Sequence, residues 1–199
     1  MSGRIRLIDS KKFLYKKHDH FIIVFNRGVT VIFNDSRKFG FVDYGKTSRI
    51  NQKKYFLKLG KDALSQSLNA KYLFNKINKS IVPIKQILLD QKIIAGIGNI
   101  YASEILFNAK ISPLQKGKDL NLQDCREIIF STKLILKKAI KAGGSTLRDY
   151  VATDGTLGNF QSNFMVYDRE GKKILGKKIK KIVQYGRSTY FCPALQRMK

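Results

Sequence analysis

The pattern of apolar residues changes near residue 51, and this change restricts the folds that the chain can adopt. Before that point, the runs FIIVF (21–25) and VTVIF (29–33) are rich in β-branched and aromatic residues and are joined by the tripeptide NRG. Such a pair of runs predicts a β-hairpin with its glycine in a left-handed position. Beyond residue 51 the apolar residues recur at helical spacing, and strand-like runs return from residue 164 onward. We therefore predict an α+β fold.

Capping residues divide the middle of the chain into helices. The predicted helices cover 51–59, 69–78 behind Asn69, 83–90 with Pro83 as first residue, a segment opened by Asn99, 122–142, and 146–151. In the longest of them, Asn121 and Asp124 have the spacing of a capping box, and Cys125 lies on the apolar stripe, which predicts a buried thiol. The strands predicted at the end of the sequence are FMVY, KKIL, KKIVQY and TYFC, with Arg187 in the last turn.

The charge balance indicates a polyanionic partner. The sequence has 39 Lys and Arg against 14 Asp and Glu, for a formal net charge of +25, which favours nucleic acid. A membrane surface is the competing partner, but no apolar run approaches the roughly 20 residues that span a bilayer and no signal-type segment opens the sequence, so we expect a cytosolic protein. Two cysteines cannot form a four-cysteine zinc site and argue against a disulfide framework. No metal or other cofactor is expected.

The tetrapeptide GIGN stands at a predicted helix start. The backbone N–H groups of a first helical turn, together with the amide of Asn99, can hold an anion, because those donors are unsatisfied and the helix dipole is positive there. A Gly-x-Gly turn also serves simply to change the chain direction, so these four residues alone leave both interpretations open.

The sequence around this turn, LLDQKIIAGIGNIYASEILFNAKISP, resembles the helix-two-turns-helix motif of the formamidopyrimidine-DNA glycosylase and endonuclease VIII family, and its glycosylase branch most closely. Further segments match the family in order along nearly the whole chain: MSGR, KHDH, NDSRKFG, PIK, AGGSTLRD, TDGTLGNF, VYDREG and GRSTYFCP.

The resemblance implies both a fold and an activity. The fold is the remainder of an N-terminal β-sandwich lobe (1–50), a helix-two-turns-helix domain (51–152), and a lesion-capping loop followed by a C-terminal zincless-finger β-hairpin (153–199). The activity is that of a monomeric DNA glycosylase and AP lyase of base-excision repair. Such an enzyme binds damaged double-stranded DNA and flips an oxidised purine, such as 8-oxoguanine or a formamidopyrimidine, out of the duplex.

The resemblance also assigns roles to individual residues. Asn99 and Arg187 match positions that grip the phosphates beside the flipped nucleotide, and Arg187 matches an arginine of the later elimination step. The remaining matches are His18, Arg37 and Lys85 as DNA contacts, Met1, Arg37 and Phe39 as the side chains that fill the void left by the extruded base, and Thr153, Asp154 and Gly155 as the lid over the damaged base.

These positions also have plainer interpretations. His18 and His20 could form a surface turn or a weak metal pair, and Phe39 could be a core strand residue. Arg37 and Arg187 could be solvated surface charges, although a turn arginine among basic strands suits a phosphate better. The TDG loop could be an inert connector.

The sequence departs from the family at its catalytic end. Family members use an N-terminal proline as amine nucleophile, but the prolines here are Pro83, Pro113 and Pro193, and the catalytic glutamate and β-elimination lysine have no counterparts. We expect that the start codon has been placed too far downstream, at the void-filling methionine; the alternative is a gene that has lost its catalytic half-lobe. The 199 residues alone are expected to bind DNA weakly and to lack turnover. A non-catalytic DNA-binding remnant and a basic RNA-binding protein remain as alternatives from other classes.

The C-terminal hairpin of the family is usually a four-cysteine zinc finger. Here Cys192 matches one ligand, Leu195 replaces its partner, and GKKILGKK (171–178) lacks the first pair. We therefore expect a zincless hairpin that is held by apolar packing. The residues expected to pack are Ile174, Leu175, Ile179, Ile182, Val183, Tyr190 and Phe191.

Overall fold

The computed structural model describes residues 3–145 and 158–198 and divides into two compact units. The first unit comprises Met1–Arg49 and Ala139–Asn163, and the second comprises Ile50–Lys138 and Phe164–Lys199. Helices and strands are both present, which confirms the predicted α+β fold. The helix predicted over 146–151 lies outside the described residues, and the division into three sequence domains stays a prediction.

A three-stranded antiparallel sheet is the main element of the first unit. Its strands are β1 (Gly3–Asp9), β2 (Asp19–Val24) and β3 (Val29–Asp35), in the order β1-β3-β2. The predicted β2–β3 hairpin is confirmed, and Gly28 in its turn has a φ of 76°, a conformation that glycine adopts without steric cost. Strand β1 was not among the predicted strands, although its alternation of arginine and apolar residues has the period of a strand.

The two faces of this sheet differ in burial. Residues paired across strands share a face, and Ile5 and Phe21 both pair with Phe33, while Leu7 and Ile23 both pair with Val31. This face is wholly apolar at these positions, yet the side chains at its edges remain open to solvent. Their exposed fractions are 50% for Ile5, 47% for Leu7, 41% for Phe21 and 40% for Ile23. The opposite face is more buried and is centred on Ile32, which is fully buried.

Five helices account for most of the regular structure between residues 50 and 141. They are α1 (Lys54–Leu57), α2 (Ala70–Ile77), α3 (Ile84–Leu89), α4 (Asn99–Asn108) and α5 (Leu122–Lys141). The predicted caps are confirmed: the Asn69 side chain accepts a hydrogen bond from the Tyr72 N–H, and Asn121 and Asp124 each accept the backbone N–H of the other at 2.9 Å. Among the helices of the described residues, none combines the length and apolar character needed to cross a membrane.

Two helix starts differ from the prediction. The helix predicted over 51–59 is reduced to α1, because Thr47–Gln52 form a 3-10 helix and the Lys53 side chain makes no cap. Pro83 is the cap of α3 rather than its first residue, since its ψ of 140° is extended.

The core of the second unit is built from buried aliphatic side chains of α2 to α5. Its fully buried members include Leu73, Ile77, Ile84, Leu88, Ile105, Leu106 and Ile128. Cys125 is buried on the apolar stripe of α5, as the sequence predicts. A short parallel pair, β4 (Lys61–Asp62) and β5 (Ile94–Ala95), connects the chain before α2 to the chain before α4.

Two antiparallel hairpins follow α5 in the second unit. Their strands are β6 (Lys173–Ile174), β7 (Lys177–Lys178), β8 (Lys180–Gln184) and β9 (Arg187–Phe191). Each hairpin turns through a two-residue loop in which both residues have positive φ, the geometry that matches the twist of the strands. These loops are Leu175-Gly176 and Tyr185-Gly186, with φ values between 48° and 74°.

Three predictions for this region are wrong. FMVY (164–167) is not a strand, because its backbone N–H groups bind a carboxylate instead of a neighbouring strand. Arg187 is the first residue of β9 and follows the turn rather than lying in it. Leu175 and Val183 are 83% and 70% exposed and do not hold the hairpin. The packing is made by Val166, Ile179 and Tyr190, with Phe107, Tyr167 and Ile174 against them.

Candidate nucleic-acid interface

A glycine turn presents the start of α4 to solvent. Gly96 has a φ of 100°, which side chains rarely adopt, and Gly98 occupies the cap position without any side-chain cap. Gln91 braces the turn, because its Oε1 accepts the Gly96 N–H at 2.8 Å and its Nε2 donates to the Ile97 carbonyl at 3.0 Å. The result is an uncapped helix N-terminus with its positive dipole end open, which is a favourable place for an anion.

Asn99 joins this helix start to the β8–β9 hairpin. Its Nδ2 donates to the Ser188 carbonyl at 3.0 Å, and its Oδ1 accepts from Lys85 Nζ at 2.6 Å. An amide nitrogen carries two protons, so one N–H of Asn99 remains without a partner among the described residues. Two of the predicted DNA-binding residues, Asn99 and Lys85, are thus in direct contact, and the residue before Ser188 is the third, Arg187.

Arg187 is exposed at the start of β9, where it pairs with Gln184 across the tight turn. Its guanidinium makes no ion pair with any residue in the described part of the chain. Because the β9 backbone is held at Ser188 by Asn99, the guanidinium projects from a fixed point of the hairpin. A free guanidinium on a fixed strand is suited to a phosphate oxygen.

Lys85 is fully buried, which the sequence analysis did not predict. Burial, followed by the positive charge of Arg187, lowers the pKa of Lys85 to about 8. Besides Asn99, its ammonium donates to the Thr189 hydroxyl at 2.7 Å and to the Ser188 carbonyl at 3.0 Å. The DNA contact that the resemblance implies for Lys85 therefore stays a prediction, whereas the structure shows three hydrogen bonds from Lys85 to other residues of the protein.

Glu104, which is not among the predicted site residues, fixes the chain that leads into the hairpins. Its carboxylate accepts the backbone N–H groups of Met165, Val166 and Tyr167 at 2.8 to 3.0 Å. Burial raises the pKa of Glu104, although the three N–H donors and the charge of Arg169 act in the opposite direction. The available signal was a single acidic residue within the apolar run NIYASEILF, because buried carboxylates are retained when they satisfy buried donors.

In the first unit, an ion pair and an amide hold the loop that carries His18. Asp19 is buried and accepts two hydrogen bonds from Arg6 at 2.8 and 2.9 Å and one from Asn34 at 2.7 Å. Burial raises the pKa of Asp19, but the hydrogen bonds from Asn34 and Lys16 and the charge of Arg6 outweigh it, so the pKa is lowered overall. His18 has a φ of 76°, a left-handed conformation that the contacts of the neighbouring Asp19 can maintain.

The loop after β3 carries Arg37 and Phe39, and Asp35 shapes it. The Asp35 carboxylate accepts the backbone N–H groups of Arg37 at 3.3 Å and Gly40 at 2.8 Å, which closes a tight loop around the two side chains. Arg37 lies over the Phe39 ring, with 5.1 Å from its guanidinium carbon to the ring centroid. Phe39 is 68% exposed, so it is not a core residue.

The predicted site residues are thus divided between the two units. Lys85, Asn99 and Arg187 form one connected group in the second unit. His18, Arg37 and Phe39 lie on two loops of the first unit, each braced by a buried aspartate. The remaining predicted residues, Met1, Thr153, Asp154 and Gly155, lie outside the described residues.

No cluster of three or more histidine, cysteine or acidic side chains with metal-binding geometry occurs among residues 3–145 and 158–198. Cys192 is buried, and its backbone N–H donates to Gln196 Oε1 at 2.7 Å. Gln196 in turn donates to the Ile111 carbonyl at 2.8 Å. The segment after β9 is therefore fastened by a side-chain amide, and the expectation of a zincless hairpin stays a prediction.

Comparisons with known proteins agree on one family. The family model described as "Formamidopyrimidine-DNA glycosylase H2TH domain" matches residues 59–151. The formamidopyrimidine-DNA glycosylase of Zymomonas mobilis is 42% identical over 198 residues, and that of Rickettsia bellii is 41% identical over 199 residues. In both cases the match covers 99% of this chain and 72% of the relative.

Solved structures give the same result. The Lactococcus lactis Fpg in complex with DNA that contains an abasic site is 35% identical and has a TM-score of 0.88. A MutM structure in complex with DNA that contains carbocyclic 8-oxo-G is 36% identical and has a TM-score of 0.86. Each covers 99% of this chain, which in turn covers 72% of those chains.

Proposed function

Because this chain belongs to the formamidopyrimidine-DNA glycosylase family, we propose that it binds damaged double-stranded DNA and serves base-excision repair. The relatives carry the name of a DNA glycosylase, and two solved neighbours hold DNA with an abasic site or an 8-oxo-G analogue. The net charge of +25 supports a polyanionic partner of this kind. We propose oxidised purines as the lesion class and a monomer as the binding form.

One observation carries this proposal: Asn99 Nδ2 donates to the Ser188 carbonyl. That bond ties the uncapped start of α4 to the strand that carries Arg187. A phosphate held there would meet the remaining Asn99 N–H, the open helix end and one guanidinium. Such charge-assisted hydrogen bonds are shorter and stronger than neutral ones.

A second group of residues supports base extrusion. Flipping a nucleotide costs a few kcal/mol of stacking and pairing, which an apolar wedge and a guanidinium can replace. Arg37 and Phe39 offer this pair of side chains on a loop that Asp35 already closes. We propose that Phe39 enters the stack while Arg37 pairs with the orphaned base, with His18 on a neighbouring phosphate and residues 153–155 over the lesion.

The catalytic chemistry requires a separate proposal. Family resemblance implies an N-terminal proline amine that attacks the sugar C1′ atom, displaces the base and forms a Schiff base, followed by elimination in which Arg187 takes part. The prolines of this sequence are at positions 83, 113 and 193. We propose that these 199 residues provide the DNA-binding part of a glycosylase and AP lyase and do not form the Schiff base by themselves.

Borohydride reduction tests the catalytic part of this proposal. The 199-residue chain is incubated with an abasic duplex and borohydride, alongside a full-length relative that carries the N-terminal proline. The relative should give a covalent protein–DNA band and this chain none. A trapped adduct with this chain would contradict the proposal.

The alternative function is a basic RNA-binding protein, which the high net charge also favours. Binding that rests only on phosphate charge weakens steeply with salt and shows no preference for a lesion. Binding of an abasic-analogue duplex, an intact duplex and a structured RNA at two salt concentrations separates the two functions. We expect the abasic duplex to be preferred at both salt concentrations, whereas tighter binding of the structured RNA, or an equal loss of binding for all three ligands, would favour the alternative.

We also propose that the hairpin needs no zinc. Apolar packing of Val166, Ile179 and Tyr190 supports this, as does the Gln196 side chain that fastens Cys192. Metal analysis of the purified chain should find far less than one zinc per molecule, and a chelator should leave the melting temperature unchanged. Stoichiometric zinc would contradict this part.

A further inference from the structure

Lys85 combines complete burial with a full set of internal hydrogen bonds. An ammonium has three protons, and those of Lys85 are used by Asn99 Oδ1, Thr189 Oγ1 and the Ser188 carbonyl at 2.6 to 3.0 Å. With no exposed surface and no spare donor, this side chain does not reach a DNA phosphate in this arrangement. A different role is therefore needed for a charge that is costly to bury.

The three acceptors lie on the two elements that carry the phosphate-binding residues. Asn99 begins α4, and Ser188 and Thr189 follow Arg187 on β9. We propose that Lys85 is a positioning residue whose ammonium fixes Asn99 and the start of β9 in the arrangement that holds a phosphate, so that loss of its proton weakens DNA binding. This inference rests on the proposed DNA-binding function.

The electrostatics give the sign of the pH dependence. Arg187 is the charged side chain that acts on Lys85, and the facing groups on α4 and β9 are the neutral Asn99, Ser188 and Thr189. A phosphate bound to Arg187 offsets that positive charge and favours protonated Lys85. Binding therefore raises the pKa of Lys85 above its value of about 8 in the free protein. Affinity should consequently be constant well below pH 8 and fall as the pH rises through 8.

The first experiment measures the dissociation constant for a duplex with a tetrahydrofuran abasic analogue from pH 6.5 to 9.5 at constant ionic strength. For the unsubstituted chain we expect a loss of up to about tenfold by pH 9, because about a tenth of the Lys85 side chains then keep their proton. The Lys85→Met variant should bind more weakly at pH 7, and its affinity should lack the decrease with pH that comes from Lys85. The terminal amine titrates near pH 8 as well, so the difference between the two proteins is the quantity to compare.

Two further variants separate positioning from simple charge. Thr189→Val keeps the ammonium but removes one acceptor. It should weaken binding several-fold and retain the decrease in affinity with rising pH. Asn99→Ala should cost less when added to Lys85→Met than it costs alone, because an Asn99 side chain that Lys85 no longer holds contributes less to phosphate binding. Three results would each overturn the proposal. They are fully additive losses of affinity for Asn99→Ala and Lys85→Met, an unchanged pH dependence of affinity in Lys85→Met, and normal binding by Thr189→Val. Failure of the unsubstituted chain to bind the abasic duplex at any pH would instead overturn the proposed function and this inference together.

Discussion

The Glu104 carboxylate accepts the backbone N–H of Val166 at 3.0 Å, across 62 residues of sequence. The same carboxylate accepts the N–H groups of Met165 and Tyr167, so one side chain satisfies three consecutive amides of a segment with strand-like composition. Since unpaired buried amides are costly, this contact determines where the chain enters the C-terminal hairpins.

Glu104→Ala should lower the free energy of unfolding by about 3 kcal/mol, because three amides lose their acceptor. Glu104→Gln keeps one acceptor oxygen and should lose less. Urea unfolding measures both changes. Glu170→Gln is the matched control, because Glu170 is exposed and its pair with Lys181 at 3.9 Å contributes little. An alanine variant as stable as the control would contradict this account.

Asn99→Ala should weaken binding of an abasic-analogue duplex by about tenfold, because a hydrogen bond to a charged group contributes about 1.5 kcal/mol or more. Fluorescence anisotropy of a labelled duplex measures the effect. Asn75→Ala, an exposed change within α2, serves as the control and should bind normally. Equal affinity of the Asn99→Ala and Asn75→Ala variants for this duplex would show that Asn99 does not contribute to DNA binding.

Neither thiol should react in the folded protein. Cys125 and Cys192 are both fully buried, and burial together with the nearby Asp124 raises the pKa of Cys125 to about 12. Since the thiolate is the reactive form, a disulfide reagent at pH 8 should label neither cysteine until denaturant is added, and then both. Rapid labelling of one thiol without denaturant would show that its surroundings are open.

The sequence predicts much of this fold because local signals are strong where helices begin and hairpins turn. Asn69, Asn121 and Gly28 each perform the role that their residue type indicates. Local signals fail where a distant group decides the structure. FMVY has strand composition, but Glu104 takes its amides, and that carboxylate lies 61 to 63 residues away.

The candidate site shows the same limit. Asn99 and Arg187 are found by resemblance, but their connection through Ser188 and Lys85 depends on tertiary contacts that no sequence period reveals. Burial of Lys85 is the clearest case, since lysine is almost never fully buried unless it is paired. Gln91 and Asp35 likewise act through backbone groups several residues away, where spacing alone gives no signal.

The apolar face of the first sheet should bind a hydrophobic dye. Ile5, Leu7 and Ile23 leave 40 to 50% of their surface exposed, and contiguous exposed apolar surface of this kind binds ANS. Leu7→Thr together with Ile23→Thr should reduce the fluorescence enhancement, and threonine is well tolerated in strands. Val183→Thr, an exposed change on the C-terminal hairpin, is the control and should leave the signal unchanged.

The central claim is that the α4 start and the β8–β9 hairpin together bind DNA at a lesion, and Arg187→Ala tests it most directly. The measurement is the ratio of dissociation constants for intact and abasic-analogue duplexes at physiological salt, with Arg126→Ala on α5 as a control of equal charge loss. We predict that the unsubstituted chain and Arg126→Ala prefer the abasic duplex, and that Arg187→Ala loses most of this preference. An unchanged ratio in Arg187→Ala would contradict the claim.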